Sequence, residues 1–83
     1  MADVTYYVAM PFLPDDSGAP IAGAAEECQS ATTALRRAEM LSRAVGHVGA
    51  VAFSRSGDPM MGEFSDAKLL KAFGNVPGDL SEL

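Results

Sequence analysis

An α+β fold of two layers is predicted by three stretches of the chain. Ser30 to Val45 carries the only long helical pattern. Val48 to Phe53 (VGAVAF) is apolar throughout, and Val4 to Phe12 (VTYYVAMPF) is rich in β-branched and aromatic residues. The expected architecture is a small, mostly antiparallel sheet of three to four strands. A principal helix (31–45) and a short second helix (67–73) accompany it, in the order β-β-α-β-β-α. Residues 1–77 form a single domain and 78–83 a frayed tail. At 83 residues a chain buries about two-thirds of its unfolded surface, which makes self-association an attractive source of further stability.

Val4 to Phe12 is apolar on both faces, with Val4, Tyr6, Val8 and Met10 on one and Tyr7 and Ala9 on the other. A strand covered on both sides reads this way and belongs inside the sheet. Pro11 lacks a ladder donor and is expected at or near the strand end. Pro14 to Gly18 (PDDSG) is a turn by composition. Pro20 to Cys28 is divided: Ala24 to Glu27 favour helix, whereas Pro20, Gly23 and the short length favour a strand or an extended segment. The adopted reading is a short strand returning from the turn, so that residues 4–27 make a loose hairpin.

Ala31, Ala34, Leu35, Ala38, Leu41 and Val45 share one face at helical spacing, while Thr32, Arg36, Glu39 and Arg43 share the other. Ser30 suits the N-cap and Gly46 the left-handed stop. The small residues of the packed face bring this helix close to the sheet. Gly57 to Pro59 is a turn, and Met61 to Phe64 returns as a short edge strand. Ser65 or Asp66 caps the second helix, whose Leu69, Leu70 and Phe73 point inward.

The net charge is −5, from eleven acidic and six basic residues. That balance argues against nucleic acid, whose phosphates call for several cations. All four Arg lie within 30–55, opposed there only by Glu39, while the flanks are acidic. Such a division is ordinarily neutralised within the fold or across a dimer. A single cysteine, Cys28, and a single histidine, His47, leave no basis for an intramolecular disulfide, a multi-cysteine zinc site or a His-rich metal site, and a chain this short is expected to hold no cofactor. The N-terminus has no signal-peptide pattern and no apolar run reaches the length of a membrane span, so the reading is cytoplasmic.

One location suits a small anion. A helix over 31–45 is about 22 Å long, and a strand over 48–55 returns a similar distance. Ser54, Arg55, Ser56 and Gly57 are thereby expected beside the helix start at Ser30, Thr32 and Thr33. Free N–H donors and an Arg fork can together grip a carboxylate or phosphate. The competing reading is an ordinary cap facing an ordinary turn. No phosphate-loop motif occurs. Cys28 and His47 lie at opposite ends of the same helix, too far apart for a nucleophile–base pair. Met60, Met61 and Phe64, or Tyr6 and Tyr7, could form an apolar surface for a partner. The leading functional reading is a non-enzymatic interaction or accessory module, for which a homodimer is one expected form. The alternative is a binder or enzyme for a small anionic ligand.

Several segments resemble a group of short bacterial proteins, chiefly alphaproteobacterial, of unknown function. They are Glu27-Cys28-Gln29-Ser30-Ala31, Arg36-Arg37-Ala38-Glu39, Gly49 to Arg55, Gly57-Asp58-Pro59, Gly62-Glu63-Phe64 and Phe73-Gly74-Asn75-Val76-Pro77. The resemblance implies a bacterial, cytoplasmic origin and brings no functional residues with it.

Overall fold

Two long antiparallel strands, β1 (Val4–Pro14) and β4 (Gly49–Asp58), occupy the centre of the sheet in a register running from Val4 opposite Gly57 to Phe12 opposite Gly49. This is a computed structural model, and it describes residues 4–58, 60–65 and 67–77. Each outer edge is made in two pieces. β2 (Pro20–Ala22) and β3 (Glu26–Cys28) both pair with β1, and β5 (Glu63–Phe64) and β6 (Lys68–Gly74) both pair with β4. Every pairing is antiparallel. The helix α1 (Ala31–Arg43) packs on one face of this curled sheet. The fold is α+β, as the sequence predicts.

The second helix is not present. Residues 68–74 form β6 instead, and the order is β-β-β-α-β-β-β. Lys, Leu and Ala at 68–72 suit a helix locally, but seven residues gain little from propensity alone. The open edge of β4 offers a ladder of backbone partners, and pairing with it satisfies donors that a short helix would leave free. A bulge between Ala52 and Phe53 inserts Leu70 into the pairing. Leu70 and Phe73 can then both pack on the helix side, although three-residue spacing would otherwise put them on opposite faces. The proposed cap at Asp66 and the tail at 78–83 lie outside the described residues.

Two expectations near α1 and β1 also change. The helix ends at Arg43, two residues early, because Val45 and Gly46 make a turn: the His47 N–H donates to the Ala44 carbonyl at 3.1 Å, with Gly46 at φ +89°. Val45 is consequently fully exposed rather than packed. Pro11 stands in the interior of β1, opposite Ala50. Its carbonyl accepts from Gly23 N–H at 2.8 Å, so its polar edge points toward the interval between β2 and β3. A strand residue directs both backbone groups to one side, so the missing N–H falls where the edge is already interrupted.

The two sheet faces differ in side-chain size, and that difference places the helix. Ala9, Ala50 and Ala52 pack with Ala34, Ala38 and Leu41 of α1, joined by half-buried Tyr7, Cys28, Leu35, Leu70 and Phe73. The large residues Phe12, Val51 and Phe53 fall on the opposite face, with Val8 and Met10. An alanine face meeting an alanine-lined helix permits close approach; Val and Phe there would hold it off.

Candidate functional site

Alternation along β4 decides where the predicted anion-site residues go. Ala50, Ala52 and, by parity, Ser54 and Ser56 lie on the helix side; Val51, Phe53, Arg55 and Gly57 lie on the other. The cross-strand partners agree, since Ser54 faces Tyr7 and Arg55 faces Tyr6. The sheet therefore stands between the Arg55 side chain and the helix N-terminus.

At that N-terminus Ser30 is the cap, and its Oγ accepts from Thr33 N–H at 3.2 Å and lies 3.0 Å from Thr33 Oγ1. The two hydroxyls and a first-turn donor thus engage one another, and Thr32 is exposed. Ser56 Oγ shares a 2.8 Å hydrogen bond with Thr5 Oγ1, and its carbonyl accepts from Ser65. Ser56 belongs to the sheet's edge network. The structure brings Ser30 and Thr33 together but does not bring Arg55 or Gly57 to them.

Arg55 contributes to a different place, an open cleft of about 320 Å³ on the helix-free face, lined by Tyr6, Val8, Ala25, Phe53, Arg55 and Phe64. The two central strands form its floor, with Ala25 on one side and Phe64 of β5 on the other. Arg55 is half-buried and its Nε is shielded from solvent. Phe64 is 45% exposed, and its ring meets Tyr6 at a centroid distance of 5.9 Å, tilted by 48°.

Gly57 makes that ring contact possible. It lies opposite Phe64, and a Cβ at Gly57 would stand 2.6 Å from Phe64 Cδ1 and 2.7 Å from Phe64 Cα. The glycine leaves its space to the aromatic ring, which reaches across β4 to Tyr6. The small residue admits a neighbouring side chain rather than a ligand.

Other chemistry-bearing residues are accounted for by structure. Cys28 is half-buried against the helix-side core. His47 Nδ1 lies 2.7 Å from the Leu41 carbonyl, closing the helix C-terminus. Arg37 pairs with Glu26 at 3.1 Å and Arg43 with Glu39 at 2.9 Å. Among the described residues, no group of three or more His, Cys, Asp and Glu could hold a metal ion, and no helix is long and apolar enough to cross a membrane. Comparisons find no matching protein family, curated protein or solved structure.

The sequence contains the parity that separates Arg55 from Ser54, and it names Tyr6 and Phe64 as apolar-surface candidates. It does not reveal which face the helix covers until the alternation of small and large residues is set against the alanine face of α1. Glu27 is a participant that sequence reasoning passes over. It faces Val8 across β3 and β1 and so shares the helix-free face, a placement that depends on a three-residue strand.

Proposed function

We propose that this protein is a small, non-enzymatic interaction module that docks a protein partner on the helix-free face of its sheet. One observation carries the reading: among the described residues, a sheet apolar on both faces has a helix on only one of them. On the other face, Phe12, Val51 and Phe53 are buried, while the same surface continues outward to Tyr6, Val8 and Phe64 around an open cleft. Apolar surface surrounding a recess is the usual form of a docking site. The protein is read as cytoplasmic and bacterial, on its lone thiol and on the resemblance described above.

The neutral apolar dye Nile red, added to dilute ¹⁵N-labelled protein, tests this face without assuming a partner. Saturable amide shifts are expected at Tyr6, Val8, Phe53 and Phe64, and Phe64→Asp is expected to remove them. Absence of binding, or shifts centred on exposed Met40 of the helix, would contradict the reading.

A second reading follows from the cation in the cleft. Arg55 against an apolar floor suits a small carboxylate with an apolar body. Octanoate binding that disappears in Arg55→Gln, while Nile red binding persists, would favour it over protein docking.

A further inference from the structure

We infer that the partner on the helix-free face is a basic amphipathic helix of another protein, laid along the cleft with its cations toward the acids at the margins, Glu27 foremost. The inference rests on the reading of that face as a docking surface.

The distribution of charge selects the occupant. Of the six Lys and Arg residues, Arg36, Arg37 and Arg43 belong to α1, with Arg37 paired to Glu26 and Arg43 to Glu39. Lys68 and Lys71 stand opposite Ser54 and Ala52, on the helix side of the sheet. There Lys71 Nζ lies 5.2 Å from the centre of the Phe73 ring. Arg55 alone belongs to the helix-free face, and it already interacts within this chain.

The acids are placed differently. Glu27 lies opposite Val8, hence on the helix-free face, and is exposed at the β3 flank. Glu26 beside it turns to the helix side and pairs with Arg37. Glu63 lies opposite Asp58 where the ladder ends, one residue beyond Gly57 and Phe64. Like charges in direct opposition cost stability, and a cation brought near them relieves that cost. By alternation Glu63 leaves the ladder on the other side from Phe64, so it acts at the rim, within the roughly 10 Å over which charge is felt at moderate salt. Among the described residues neither Glu27 nor Glu63 has an ion-pair partner. The face is thus apolar in its middle and acidic at its margins.

The dimensions suit a helix. The strands β3, β1, β4 and β5 lie side by side, which separates the two flanks by about 14 Å. A helix with its side chains is about 10–12 Å across. From Phe53, level with Glu27 through Val8, to Asp58, level with Glu63, β4 advances about 17 Å, the length of about three helical turns. Leu-type side chains would enter the recess at Tyr6, Val8 and Phe64, and flanking cations would meet the marginal acids. A second copy offers no such helix, because the apolar stripe of α1 is buried against its own sheet. An acidic partner or an anionic membrane meets repulsion at both margins.

Two synthetic peptides of about four turns, one of Lys and Leu at amphipathic spacing and one with Glu in place of Lys, test the inference on the intact ¹⁵N-labelled chain. The Lys–Leu peptide is expected to give saturable shifts at Tyr6, Val8, Phe53 and Phe64 and to bind at least about tenfold more tightly than the Glu–Leu peptide at low salt. Glu27→Gln combined with Glu63→Gln should weaken the Lys–Leu peptide about fivefold or more and leave Nile red binding unchanged. Both positions are exposed, and chemical-shift dispersion verifies the fold. Equal affinity for the two peptides, indifference to loss of the two acids, or shifts centred on Met40 overturns the basic partner. If Nile red still maps to the helix-free face in those cases, the docking surface itself stands. Loss of Nile red and peptide binding together removes the inference and the reading.

Discussion

At the scale of single residues, space and hydrogen bonding account for positions that composition leaves ambiguous. Gly57 is required because Phe64 and the backbone of β5 occupy the volume a Cβ would need. Gly57→Ala should cost about 1–3 kcal/mol, typical of overpacking, and urea unfolding monitored by circular dichroism measures it. Unchanged stability would show that β5 yields. Asp15 illustrates a purely local device. Its carboxylate accepts from Ser17 Oγ at 2.7 Å, from Ser17 N–H at 2.8 Å and from Ala19 N–H at 2.9 Å. The Ser17 side-chain bond, then the backbone bonds from Ser17 and Ala19, hold its pKa below the ordinary carboxylate value. The folded pKa lies below the unfolded one, so the contribution is complete above the unfolded value and lost as pH falls through the folded one, below about pH 4. Asp15→Ala should therefore speed amide exchange at Ser17 and Ala19 at neutral pH, and the difference from wild type should shrink on acidification. Arg55 shows where sequence geometry stops: the distance along β4 is readable, but a single step in parity moves a side chain to the other side of the sheet.

At the scale of elements, legibility depends on how many constraints coincide. Helix α1 has a cap, an apolar stripe and an i,i+4 ion pair that agree with one another, so its existence and start are readable. Its end is set by the turn at Ala44 to His47, where Gly46 serves the turn and not the helix. The pair Leu70 and Phe73 has helical spacing, yet a bulge in β4's pairing gives the same result in a strand. Backbone secondary shifts across Lys68 to Phe73 should have strand sign; helical values would contradict the topology. The helix itself is held by its buried stripe. Leu41, 8% exposed, should cost about 2–5 kcal/mol on truncation to Ala, whereas Met40, 63% exposed, should cost little. Paired thermal melts of the two variants provide that comparison.

At the scale of the whole molecule, the dimensions agree with one helix layer on one sheet. The shortest extent of the Cα trace is 17 Å, room for two layers about 10 Å apart and no third. Among the described residues, the bulkiest core side chains face away from α1, and their surface continues from buried Phe12, Val51 and Phe53 to the open cleft at Tyr6, Val8 and Phe64. A partner docked on that side would extend the apolar core across the interface. The most direct test is a titration of dilute ¹⁵N-labelled protein with Nile red, mapped residue by residue. The account predicts saturable shifts at Tyr6, Val8, Phe53 and Phe64. Shifts confined to Met40 and the outer helix surface, or no binding at all, would contradict it.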